Sequence, residues 1–199
     1  MLKVYLLRHG ETSYNADGNR YCGRTDAELT PKGIDQAKEV ANLLTSIDFD
    51  AIYSSPLKRA YETALTASGN RNVITDERLI EMDFGEWEGK TRPAFMKENP
   101  ELWERWSQNP ETTRAGGTGE TAGELLERVE DFFRELRQHH PSGKILVVAH
   151  NGVNRFFLSS QLGMPLKNYR KIVQENSSVT LIQFDSEEGF SLKKLNSKG

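Results

Sequence analysis

Short apolar runs, each the length of a buried strand, alternate along this chain with longer stretches whose apolar positions recur every three or four residues. The first run, residues 4–7 in "KVYLLRHGET", reads as a buried strand that ends abruptly on Arg8, His9 and Gly10. Next, "AELTPKGIDQAKEVANLLTSI" predicts a helix with Thr30 as N-cap and Pro31 at the first helical position. Ile34, Ala37, Val40, Ala41 and Leu44 fall on one face of it. "FDAIYSS" predicts a second strand. Pro56 then opens a helix with Leu57, Ala60, Tyr61, Ala64 and Leu65 at helical spacing, and "NVITDERL" holds a short strand.

Residues 85–119 break the pattern, with Pro93, Pro100 and Pro110 set among Trp87, Trp103 and Trp106; short helices laid over one end of the fold are expected there. From residue 121 to 139 an amphipathic helix buries Ala122, Leu125, Leu126, Val129, Phe132, Phe133 and Leu136. "KILVVA" is the most strand-like segment, bounded by Gly143 and His150. A helix over 153–162 follows it, then strands in "SVTLIQF" and "FSLKKL". The alternation predicts an α/β fold, a three-layer sandwich with a largely parallel central sheet flanked by helices. One domain spanning 1–199 is expected, with the helical insertion of 85–119 over the active site. In such sheets ligands bind beyond the carboxyl ends of the strands, and Arg8, His9, Arg59 and His150 all fall at strand ends or at the helix start after one.

At 199 residues the chain is long enough to bury a core without disulfides or structural metals. Its net charge of -3 argues against a partner such as nucleic acid or an anionic membrane, so any cationic site must be local. Cys22 is the only cysteine, which excludes an intramolecular disulfide and a cysteine-based zinc site. No run approaches a membrane span, and no charged-then-apolar leader pattern precedes the first strand. A cytoplasmic location is the resulting expectation, with the oligomeric state left open.

Two histidines and two arginines at strand ends suit a phosphate. The guanidinium fork matches phosphate oxygens and stays charged, and a neutral imidazole can attack phosphorus. A second imidazole can hydrogen-bond the transferring group, since phosphoryl transfer depends mainly on positioning and charge stabilisation. Gly10 permits close backbone approach beside the nucleophile. An acid is also needed, and Glu77, Glu81, Asp83, Glu86 and Glu88 all compete for the role.

With these residues in view, "LLRHGET", "DAELTPKGIDQA", "YSSPLKRAYETA", "IEMDFGEWEGKT", "GETAGELLERV" and "VVAHNGV" resemble, in order, the motifs of the histidine phosphatase superfamily, the phosphoglycerate mutase-like enzymes. The resemblance runs from residue 3 to 184. It implies His9 as the nucleophile that becomes phosphohistidine, with Arg8, Arg59 and Asn15 on the phosphate oxygens. It implies His150 as the group completing the pocket and Glu81 as the acid that then activates water. Gly23 and Cys22 match the substrate loop. No metal or cofactor is implied. Most relatives carry glycine after the second histidine, where this chain has Asn151, a change that bears on pocket shape.

The resemblance implies a metal-independent phosphomonoesterase acting on a small phosphorylated metabolite. The alternatives are a phosphoglycerate mutase and a protein phosphohistidine or phosphoprotein phosphatase or phosphate-recognition module. The short insertion lacks the adjacent arginine pair of the mutases, since Arg92, Arg105 and Arg114 stand apart, and this favours hydrolysis. Trp87, Phe95, Trp103 and Trp106 form either an apolar wall beside the phosphate or, as large aromatics usually do, a core under the insertion.

Three other patterns are set aside. "GEWEGKT" is one residue short of a nucleotide-binding P-loop and carries two glutamates. "GTGETA" imitates a dinucleotide fingerprint without a preceding strand, and Thr121 with Glu124 makes a better capping box. His139 and His140 close a helix before Pro141, where solvated positions are expected.

Overall fold

The computed structural model describes residues 1–185 and 189–197. Its strands are β1 (Leu2–Arg8), β2 (Ala51–Ser54), β3 (Ile74–Thr75), β4 (Gly143–Ala149), β5 (Val179–Asp185) and β6 (Gly189–Ser197). They form one six-stranded sheet in the order β3-β2-β4-β1-β5-β6. The pairs β1–β4, β2–β4 and β2–β3 are parallel, while β5 pairs antiparallel with β1 and β6 with β5. The mostly parallel α/β fold is therefore as the alternating pattern predicts.

The helices are α1 (Ser13–Ala16), α2 (Pro31–Leu44), α3 (Lys58–Ala67), α4 (Arg92–Glu98), α5 (Pro100–Gln108), α6 (Ala122–His139) and α7 (Asn151–Gln161). Alternation along β1 divides the core. Leu2, Val4 and Leu6 pack with α6 and α7, whereas Leu7 joins Val40, Leu44, Ala60 and Ala64 from α2 and α3. Between α6 and α7 the rings of Phe133 and Phe157 stack with centroids 3.9 Å apart. Thr121 caps α6 with its hydroxyl accepting from Glu124 N, and the Glu124 carboxylate accepts from Thr121 N, completing the expected capping box. Among the described residues no helix is long and apolar enough to cross a membrane.

Several inward faces differ from those read off the spacing. In α2, Ile34 is 41% exposed and Ala41 only half-buried, while Gly33 turns inward with Ala37, Val40 and Leu44. The cause is backbone contact: a Cβ on Gly33 would lie 2.1 Å from the Glu11 carbonyl oxygen, and one on Gly10 would lie 2.5 Å from the Gly33 carbonyl oxygen. The close approach that Gly10 permits is thus to α2. In α3, which starts at Lys58, Tyr61 faces out and Arg59 and Thr63 face in beside Ala60, Ala64 and Ala67. A helix that turns functional polar groups inward defeats a purely apolar count. His140 also departs from expectation, since its Nε2 shares a 3.0 Å hydrogen bond with the Tyr53 hydroxyl.

The insertion resolves as a core. Trp87, Phe95 and Trp106 are buried, with Trp87 stacked on Phe95 at 4.5 Å and edge-on to Trp106 at 5.6 Å.

Candidate active site

Strand register assembles the site. Arg8 of β1 lies level with Ala149 of β4, and Ser54 of β2 lies level with Val148. The ladder continues one step further, with His9 N donating to Ala149 O at 3.1 Å and Ser55 N donating to Val148 O at 3.0 Å. His9, Ser55 and His150 therefore leave the sheet side by side. The two imidazole rings stand 5.2 Å apart between centroids.

His9 is almost fully buried. Its Nδ1 lies 2.7 Å from Gly10 O. A carbonyl only accepts, so Nδ1 carries the hydrogen and Nε2 keeps its lone pair. Burial first, then the charges of Arg59 and Arg8, hold its pKa well below the ordinary 6.5. His150 is shifted the same way, by burial and then Arg59 and His9. Its Nε2 meets Ser55 Oγ at 2.7 Å, and its Nδ1 is buried with no partner among the described residues.

As pH falls below 6.5 the unfolded chain takes up protons at both positions while the folded chain does not, so stability is lost in that direction. Replacing His150 by phenylalanine should flatten this acid slope. Urea midpoints measured between about pH 7 and pH 5 check it; equal slopes in both proteins would refute the linkage.

The arginines are positioned by main-chain carbonyls. Arg8 Nη1 donates to Gln174 O at 2.7 Å, and its Nε is buried without a partner among the described residues. Burial lowers its pKa to about 10, leaving it cationic at neutral pH. Arg59 is fully buried. Its Nη1 donates to Thr25 O, and its Nη2 to Gly23 O and Cys22 O, while Nε has no partner among the described residues. Thr63 Oγ1 links the two halves, donating to Arg59 O at 2.6 Å and accepting from Gly10 N at 3.0 Å.

Of the five competing carboxylates only Glu81 borders the cavity in front of His9. Glu77 and Glu86 are exposed, and Asp83 accepts from Gly85 N. Glu81 faces the start of α7, where one oxygen accepts from Gly152 N at 3.0 Å, and the other accepts from the adjacent Met82 N at 2.8 Å. Burial raises its pKa, the larger effect, and these N–H groups oppose it. A Cβ at position 152 would come within 2.5 Å of Glu81 Oε1, so glycine makes room for the acid.

The cavity, about 660 Å³, is lined by Arg8, His9, Asn15, Cys22, Glu81 and Asn151 among others. Asn15 Oδ1 accepts from Thr12 N and Oγ1 and from Asn176 Nδ2, so its amide hydrogens remain for an oxyanion. Asn151 opens α7 with its Oδ1 buried and unpaired among the described residues. Burial pushes the Cys22 thiol up to about 11, which keeps it un-ionised at neutral pH. Gly23 is set back from the wall and serves through its carbonyl on Arg59. The tryptophans and Phe95 do not reach the cavity; Phe84, Phe156 and Tyr169 do. Among the described residues no group of three or more His, Cys, Asp or Glu is placed to hold a metal ion.

A profile of the histidine phosphatase superfamily, branch 1, matches residues 4–198. The chain belongs to this superfamily. Phosphoserine phosphatase 1 of Hydrogenobacter thermophilus is 35% identical over 195 residues, covering 97% of this chain and 92% of the relative. The adenosylcobalamin/alpha-ribazole phosphatase of Escherichia coli is 34% identical over 166 residues, 82% of this chain and 81% of its own. Among solved structures, a mutant phosphoserine phosphatase from Entamoeba histolytica in complex with phosphoserine superposes with a TM-score of 0.89. It is 32% identical and is matched over 100% of this chain and 98% of that one.

Three positioning groups of this histidine phosphatase site lie outside the sequence reading: Ser55 on His150, Thr63 between Arg59 and Gly10, and Glu88. Glu88 accepts from Gly23 N at 2.9 Å and Thr25 N at 3.2 Å, fixing the loop whose carbonyls hold Arg59. Its place in "GEWEGKT" marks it as part of a decoy and as one of five candidate acids, neither of which is the role the loop gives it. Glu88→Ala should lower kcat/KM for p-nitrophenyl phosphate about 10–100-fold, the scale expected for a displaced binding group. Inhibition by inorganic phosphate should weaken alongside. Unchanged phosphate inhibition would detach Glu88 from Arg59.

Proposed function

We propose that the protein hydrolyses phosphomonoesters of small metabolites through a phosphohistidine at His9. The observation that carries this is the Nδ1–Gly10 O hydrogen bond. It presents Nε2 as an unprotonated nucleophile within reach of the charges of Arg59 and Arg8, in a site where burial raises the pKa of the Glu81 carboxyl.

Nε2 of His9 bonds to phosphorus as the ester P–O bond breaks, and the Glu81 carboxyl gives its proton to the departing alkoxide. Arg8, Arg59 and the Asn15 amide meet the equatorial oxygens. Ser55 Oγ already accepts from Leu57 N, and we assign its hydroxyl hydrogen to His150 Nε2. Nδ1 of His150, buried and without a partner among the described residues, then carries a hydrogen that the phosphoryl group can accept. In the second step water attacks phosphorus, Glu81 takes its proton, and the P–N bond breaks to release phosphate. The phosphatases among the relatives favour hydrolysis over the mutase alternative.

Purified protein in EDTA should release phosphate from p-nitrophenyl phosphate, and acid-sensitive, alkali-stable label should be trapped on the protein during turnover. Activity lost with chelator, or no labelled protein after rapid quenching, would count against the mechanism.

A further inference from the structure

The stretch "GETAGELLERV" supplies the cap of α6, yet two of its residues, Glu120 and Arg128, take no part in the steps above. They form a bidentate ion pair, in which Arg128 Nε donates to Glu120 Oε1 at 2.7 Å and Nη2 donates to Oε2 at 2.9 Å. Glu120 is buried, and the Arg128 side chain is only 17% exposed. Such a pair is weak evidence of stabilisation, because apolar residues of similar size often serve as well. What it touches is more specific.

Both ends of residues 78–83, the segment that carries Glu81, are tied to this pair. At one end Arg128 Nη1 donates to Arg78 O at 2.6 Å. At the other, Glu120 N donates to Asp83 O at 2.9 Å, and Asp83 N donates to Glu120 Oε2 at 3.4 Å. Between the ties Leu79 and Met82 are fully buried, and Glu81 turns to the start of α7. Glu81 feels the charge of Arg128, which sets the guanidinium near the acid. Other contacts are weaker: Arg78 reaches the half-exposed carboxylates of Asp131 and Glu135, and the half-exposed Arg24 stands 3.8 Å from Glu120. A general acid must lie within hydrogen-bond reach of the oxygen it protonates, and a displacement of about 1 Å can cost about 100-fold.

We propose that Glu120 and Arg128 are positioning residues for Glu81: by fixing both ends of its segment to α6 and the residues leading into it, they set the carboxyl where the leaving oxygen departs. This rests on the phosphatase reading, in which Glu81 is the acid. Loss of a pair that only held the fold together would impair every ester alike. Loss of a pair that places the acid impairs each ester according to how much its leaving group needs a proton.

Phenyl phosphate and p-nitrophenyl phosphate share a ring but differ in that need, since p-nitrophenolate is the better leaving group. Glu120→Gln combined with Arg128→Met removes both charges together, so that neither is left buried alone. On the full chain this double variant should lose about 10–100-fold in kcat/KM on phenyl phosphate. Its loss on p-nitrophenyl phosphate should be at least about fivefold smaller. Arg128→Lys keeps a charge opposite Glu120 without the paired hydrogen bonds and should show the same skew at smaller amplitude; it decides the matter if circular dichroism shows the double variant unfolded. In a Glu81→Gln background either change should cost the two esters equally. Equal losses on both esters with Glu81 in place, or a skew that survives Glu81→Gln, overturns the inference. The unaltered protein separates the two failures: if it turns over p-nitrophenyl phosphate and no skew appears, only the positioning role falls, and if it does not, the phosphatase reading falls with it.

Discussion

His9→Ala abolishes turnover of p-nitrophenyl phosphate, lowering kcat by about four orders of magnitude or more, the scale of losing a covalent nucleophile. The expectation follows from how the ring is held. Burial and two neighbouring guanidinium groups keep it uncharged far into the acid range, and Gly10 O fixes which nitrogen is free. No other side chain near the cavity is prepared as a substitute: His150 is engaged by Ser55, and the Cys22 thiol is un-ionised at neutral pH. The variant should still bind vanadate or phosphate, because the arginines are anchored to main-chain carbonyls rather than to His9. Steady-state rates and acid-quenched labelling measure the loss. A variant retaining a tenth of the activity would remove His9 from the reaction.

Glu81→Gln has the second largest effect, and it depends on the leaving group. Alkyl phosphates need a proton on the departing oxygen, so kcat/KM should drop about 10²–10⁴-fold, the usual worth of a general acid. p-Nitrophenolate departs without a proton, and its loss should be smaller by at least about tenfold.

The sign of the pH dependence follows from the raised pKa. The acid is competent while protonated, so kcat/KM for alkyl esters declines as pH rises through the folded-state pKa of Glu81, which lies above 4.5. That decline should vanish in the glutamine variant. Its contribution to stability runs in the same direction, present below 4.5 and lost as pH rises through the folded value, opposite to that of the histidines. Equal losses on both ester types, with the alkaline decline intact, would transfer the proton to another group.

Much of this was legible beforehand because the fold writes it in local signals. "KILVVA" between Gly143 and His150 is β4 with its boundary in the expected place, and Thr121 with Glu124 caps α6 as the pair predicts. Other features depend on contacts that sequence spacing does not record. Ile34 turns outward because two glycines, Gly10 and Gly33, meet backbone to backbone. Arg59 is fully buried with its Nη groups held by three carbonyls from a loop more than thirty positions earlier. A charged residue two places into a helix ordinarily reads as solvated. Gly23 was placed near the ligand by its motif, yet its function is exerted through the carbonyl that holds Arg59. Nothing in the apolar pattern indicated that β5 would return antiparallel beside β1, since strand order is decided by connections rather than by composition.

The level ends of β1, β2 and β4 restrict how such a chain can change in length. Adding a residue inside β4 would push His150 along by about 3.3 Å and reverse which side of the sheet each following residue faces. The same insertion in the turn before Gly143 would leave the rim untouched. Length variation tolerated by this scaffold should therefore collect in its connecting turns and in the tryptophan-bearing cover, while the spans leading up to Arg8, Ser55 and His150 stay fixed in count.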